Sequence, residues 1–134
     1  MERLEQRLQV AKQALVTLKE IVDRPTVSII ERDAAIQRFE YTVEATWRVA
    51  QRFLNIVEGL DTGSPKTVIR MSREVGLLDE EQSVLALEMI DDRNLTAHTY
   101  NETIAKKIFN RLQPYAALMA FWIKRIEERS VPSS

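Results

Sequence analysis

The sequence predicts an all-α protein, an up-and-down four-helix bundle with an additional short helix, and three observations predict it. Apolar residues recur at alternating steps of three and four along most of the chain, which sets each group on one stripe of an α-helix. No segment sustains the alternation of a half-buried strand. Only three glycines and four prolines interrupt 134 residues, and most of them fall where an apolar stripe ends. A chain of this length can bury one full hydrophobic core, so residues 1–134 are expected to form a single helical domain.

In the first predicted helix Leu4, Leu8, Ala11, Leu15, Leu18 and Val22 form the apolar stripe, and Asp23, Arg24 and Pro25 end it. A second, long helix is expected to begin between Ser28 and Asp33. It carries Ile36, Phe39, Val43, Trp47, Ala50, Leu54 and Val57 as far as Gly59 and the turn Asp61, Thr62, Gly63. Ser64 and Pro65 read as an N-cap followed by proline at the first helical position, where a missing N–H costs nothing. Val68, Met71 and Val75 make a short stripe that Gly76 stops. Asp79, with Glu80 and Glu81, caps a fourth helix bearing Val84, Leu85, Leu87 and Ile90.

Thr99 to Glu102 match a capping box, which would open a last helix with Ile104, Ile108, Leu112, Tyr115, Met119, Trp122 and Ile126 on its buried stripe. Pro114 lies within that stripe and is expected to kink or break the helix near residues 110–113. Residues 130–134 read as a frayed tail. The stripes of the first two helices are wide enough to leave room for a helix-mediated dimer beside their commoner use as core.

Composition excludes several functions. Hydrophobic residues are 45% of the chain and charged ones 29%, as in a soluble globular protein. Nineteen basic and twenty acidic side chains leave a net charge of -1, so nucleic-acid binding would need a local patch. With no cysteine there is no disulfide scaffold, thiol catalysis or cysteine-ligated zinc, which fits a reducing compartment. No signal sequence and no membrane-spanning apolar run is visible, and a cytoplasmic location is expected.

The run from Arg93 to Tyr100 holds the side chains best suited to chemistry. His98 is the one histidine, the residue type whose proton moves near neutral pH. It stands five positions after an arginine and two before a tyrosine. On one unbroken helix, residues five apart lie roughly 140° apart around the axis. The expected capping box supplies a break, with Arg93 ending one helix, His98 before the next and Tyr100 first in it. Helical N–H groups beside a cation would then suit a phosphate. A histidine near a helix start is also a common surface or capping residue, and an arginine at a helix C-terminus is favoured by the dipole alone. Asp91 and Asp92 point in different directions on a helix, which fits a solvated face better than a metal site.

The segment Arg93, Asn94, Leu95, Thr96, Ala97, His98, Thr99, Tyr100 resembles the R-N-x-x-x-H-x-Y signature of the HEPN superfamily, in its small nucleotidyltransferase-associated branch. Gln37 to Thr42 followed by Trp47 are similar to that branch's second-helix pattern, and Gly76 to Asp79 to its connecting segment. The likeness covers about residues 35 to 112. Arg48 stands where the branch usually has lysine, and the tryptophan often found near Ser83 or Val84 is missing.

This resemblance implies a dimerising bundle that brings two motifs into one cleft, and a metal-independent endoribonuclease acting as the HEPN toxin of an MNT/HEPN pair. A small nucleotidyltransferase (MNT) antitoxin would neutralise it, transferring AMP to the motif's tyrosine, which by position is Tyr100. RNA is the implied substrate; no DNA, cofactor or metal is implied. The chemistry also follows from the residues. RNA carries its own nucleophile in the 2′-OH, so His98 can move the proton while Arg93 stabilises phosphate charge with its bidentate fork. Asn94 can bind or orient the phosphate, or can simply terminate the helix. The alternative is a non-catalytic nucleotide- or substrate-binding subunit of a two-component nucleotidyltransferase, and the plainest is an inert helical module.

Overall fold

The structure, a computed structural model, describes residues 2–130 and is built from helices. Helix α1 spans Glu2–Val22, α2 Ile29–Glu58, α3 Pro65–Glu74, α4 Glu80–Leu95, α5 Glu102–Phe109 and α6 Leu112–Ser130, with one 3₁₀ turn at Thr96–His98. The described residues contain no strand. Helices α1, α2, α4 and α6 make the bundle; α3 bridges α2 and α4, and α5 lies against α2. None of these helices is long and apolar enough to cross a membrane.

Local chemistry sets the helix ends. Ser28 caps α2 and accepts from the Glu31 N–H, while the Glu31 carboxylate accepts from the Ser28 N–H, a reciprocal capping box. Gly59 closes α2 with φ +68, a left-handed conformation that glycine adopts without strain. Ser64 caps α3 with Pro65 in its first turn, as the sequence predicts. Asp79 caps α4 in a second capping box, completed by Gln82.

The core runs along the predicted stripes of α1, α2 and α6. Leu4, Leu8, Leu15 and Leu18 of α1 are buried against Phe39, Val43, Trp47 and Leu54 of α2 and Met119, Trp122 and Ile126 of α6. Two expectations need correction. Val57 at the end of α2 is exposed. On α4 the buried face is Ser83, Ala86, Met89, Ile90 and Asp92, whereas Val84 is exposed and Leu85 and Leu87 are half-buried. The packed face of α4 includes the small residues Ser83 and Ala86 and is not its most apolar one. Pro114 breaks the last helix rather than kinking it: α5 ends at Phe109 and α6 starts at Leu112. The expected frayed tail falls on residues 131–134, outside the described residues, and Ser130 is helical.

Candidate functional site

Arg93 occupies the last turn of α4, and its helix does not stop there. It runs on to Leu95 and then tightens into the 3₁₀ turn, because the Thr96 hydroxyl and N–H both return to the Arg93 carbonyl, the hydroxyl at 2.6 Å. The expected break at Arg93 therefore comes two residues later. Nor does the predicted capping box form. Thr99 has helix-like φ −73, ψ −4 and its hydroxyl donates to the Thr96 carbonyl at 3.2 Å. Asn101, extended at φ −82, ψ 116, caps α5 by accepting from the N–H groups of Thr103 and Ile104. Those two N–H groups are taken up by the Asn101 side chain. Glu102 turns instead to Arg32, which donates to it at 2.5 and 3.2 Å; that guanidinium holds the Glu102 carboxyl below its ordinary range.

The motif side chains have different partners. Arg93 Nη2 lies 3.5 Å from Glu44 Oε2 on α2, and its Nε is buried with no partner among the described residues. Glu44 also accepts from Trp47 Nε1 at 2.9 Å and Arg48 Nε at 3.2 Å. Partial burial raises the Glu44 pKa, but the hydrogen bonds from Trp47 and Arg48, with the charges of Arg48 and Arg93, outweigh it and hold the carboxyl below its usual value. Arg48 in turn lies over the Trp47 ring, 4.2 Å from its centroid.

His98 is exposed, and its ring meets that of Tyr100 edge-on at 6.0 Å between centroids. Tyr100 is 86% exposed, and Asn94 is exposed too. No hydrogen bond joins Arg93 to His98 among the described residues. The chain thus pairs His98 with Tyr100 and sets Arg93 against Glu44.

Asp92 departs furthest from expectation. It is only 3% exposed, not part of a solvated face, and accepts from Arg111 Nη1 at 3.0 and 3.2 Å and from the Tyr115 hydroxyl at 2.6 Å. Burial first, then the Asp92 carboxylate, pushes the Tyr115 phenol well above its ordinary pKa. Asp91 is exposed and paired with Lys66 at 2.7 Å. The spacing Ser83, Ala86, Met89, Asp92, Thr96 carried the signal for Asp92, and Glu44 was visible as the residue four before Arg48. Among the described residues no group of three or more potential ligands could hold a metal ion.

The helical bundle carries an arginine in the last turn of its fourth helix and an exposed histidine and tyrosine in the turn that follows. The chain belongs to the family described as nucleotidyltransferase substrate binding protein like, whose model matches residues 6–128. A curated relative from Haemophilus influenzae, named "Probable ribonuclease HepT", is 25% identical over 100 residues, 72% of this chain and 67% of that protein. A crystal structure of a Thermus thermophilus protein has a TM-score of 0.85 at 56% identity, covering 87% of this chain and 98% of that one. A tri-AMPylated HEPN toxin from Shewanella oneidensis, solved in complex with MNT antitoxin, shares the fold at a TM-score of 0.76 and 14% identity, covering 93% and 96%.

Proposed function

We propose that this protein is a HEPN-type toxin, a metal-independent endoribonuclease that works as a homodimer in the cytoplasm and is neutralised by a small nucleotidyltransferase antitoxin. One observation carries the reading: an exposed histidine and an exposed tyrosine share the turn that follows an arginine whose guanidinium is only partly engaged. The name of the Haemophilus relative and the toxin–antitoxin complex formed by the Shewanella protein support it.

His98 accepts the proton of the RNA 2′-OH as that oxygen bonds to phosphorus. The P–O5′ bond breaks, and the departing O5′ takes a proton from an imidazolium, that of the second protomer's His98 in the dimer. Arg93 neutralises the charge that builds on the phosphoryl oxygens, and Asn94 orients the phosphate. No hydrogen bond joins Arg93 to His98 among the described residues, and a cleft between two copies would let both reach one phosphate. Tyr100 needs no catalytic part; its exposure makes it the acceptor of AMP from the partner, which would cover His98 with a bulky anion.

The absence of a hydrogen bond between Arg93 and His98 among the described residues also favours a second reading, a non-catalytic subunit that binds a nucleotide or substrate for a nucleotidyltransferase. Expression of wild type and His98→Ala without a partner separates the two. The toxin reading expects arrested growth and cleaved cellular RNA for wild type alone; full growth and intact RNA in both would leave the binding subunit.

A further inference from the structure

A groove of about 470 Å³ runs between α1 and α2, with Val10 and Tyr41 on its apolar floor. Arg7 and Arg48 line it and also line a second depression of about 230 Å³, which continues along α2 to Arg52. The two adjoin at Arg7 and Arg48 and are together called the channel. Its near end is Glu44, the residue that holds Arg93.

We propose that this channel carries the single-stranded RNA that leads away from the Arg93 and His98 site, with phosphates on Arg7, Arg48 and Arg52 and a base against Tyr41. The proposal rests on the ribonuclease reading and adds where the strand lies. Four arginines line the channel, counting Arg3, against the two carboxylates Glu44 and Asp61, in a chain whose net charge is -1. Glu44 is already engaged by Arg48 and Arg93. No described carboxylate pairs with Arg7 or Arg52, and Arg52 Nε is buried without a partner among the described residues. A concentration of unneutralised arginine in a protein that is otherwise slightly acidic is the local patch that polyanion binding requires.

Spacing and shape agree with a strand. Glu44, Arg48 and Arg52 are successive turns of one face of α2, and the eight residue steps from the first to the last span about 12 Å. That interval holds three or four stacked nucleotides at about 3.4 Å each. The Tyr41 hydroxyl is fixed to Thr17 Oγ1 at 2.6 Å, so its half-exposed ring is a rigid platform of the kind bases stack on.

The test uses the full chain carrying His98→Ala, so that RNA is bound but not cut, and a fluorescein-labelled single-stranded oligoribonucleotide read by anisotropy at several salt concentrations. Arg7→Gln and Arg52→Gln should each weaken binding and lower the slope of log affinity against log salt by about 0.7, with the thermal midpoint unchanged. Affinities and slopes equal to the parent's, or an altered mass by light scattering in place of weakened binding, would overturn the channel and make this face inert or an interface between copies. If RNA is cut by wild type and not by His98→Ala, yet both arginine variants bind as the parent does, the channel alone fails. Absence of both cutting and binding removes the ribonuclease reading and the channel with it.

Discussion

The Tyr115 hydroxyl donates to the Asp92 carboxylate at 2.6 Å inside the protein, which ties α6 to the last turn of α4 one residue before Arg93. Arg111 reaches the same carboxylate from the surface side. A buried carboxylate with two donors is stable in place, and the same group with its donors removed is a liability.

Asp92→Ala should therefore destabilise the fold by about 3 kcal/mol, since it leaves the Tyr115 hydroxyl buried and unpaired and opens a small void. Tyr115→Phe should cost about 1–2 kcal/mol, because Arg111 still serves the carboxylate. Urea unfolding midpoints at neutral pH check both. Equal and negligible losses would mean that the triad does not anchor α4.

The raised pKa of Tyr115 has a consequence at high pH. A group whose folded pKa lies above its unfolded value, about 10 for tyrosine, contributes stability that is whole below pH 10 and drains away as the pH climbs toward the folded pKa. Wild type should lose stability steeply above pH 10, and Tyr115→Phe should show a flatter alkaline limb. Thermal midpoints from pH 8 to 11 in both proteins would reveal it.

Glu44 works in the opposite direction. Its folded pKa is lowered, so its contribution is whole above the ordinary glutamate value, about 4.3, and is lost as the pH falls through the lower folded one. Glu44→Gln should cost under about 1 kcal/mol at pH 7, as the carboxylate is partly exposed, and should flatten the stability profile below pH 4.5. On the ribonuclease reading it should also reduce RNA cleavage less than Arg93→Ala does, because it loosens the guanidinium without removing it. A cleavage rate equal to wild type would show that Glu44 does not position Arg93.

Helix periodicity was legible wherever large apolar residues do the packing. Leu4 to Val22, Ile36 to Leu54 and Ile108 to Ile126 were read correctly for that reason. On α4 it misled, since Ser83 and Ala86 are buried by virtue of being small and Val84 is not buried at all. The motif's residue types were legible, but its local geometry was not: Thr99 and Asn101 are both good caps, and only the backbone angles choose between them. The partners of Asp92 and Arg93 come from α6 and α2, at sequence separations over which spacing carries no information.

Tyr100 is so exposed that its ring supports almost nothing. Tyr100→Phe should move the unfolding free energy by no more than about 0.5 kcal/mol. On the toxin reading it should nevertheless abolish adenylation when the protein is made beside its nucleotidyltransferase, seen as the missing AMP mass on the peptide containing residue 100. Adenylate found on another residue in the wild type would sink that assignment.

The choice of cap at α5 yields a comparison of two variants. Asn101 Oδ1 accepts from two N–H groups at 3.0 and 3.3 Å, whereas the Thr99 hydroxyl only bonds back to Thr96. Asn101→Ala should then cost about 1 kcal/mol, the usual loss for a helix N-cap, and amide exchange should quicken at Thr103 and Ile104 first. Thr99→Val removes one half-exposed hydroxyl and should cost less, with those two amides still protected. A capping box centred on Thr99 demands the reverse order. Because His98 and Tyr100 sit between the end of α4 and this cap, frayed amides at the start of α5 should be accompanied by looser His98 and Tyr100 rings, visible as averaged aromatic resonances in Asn101→Ala and not in Thr99→Val.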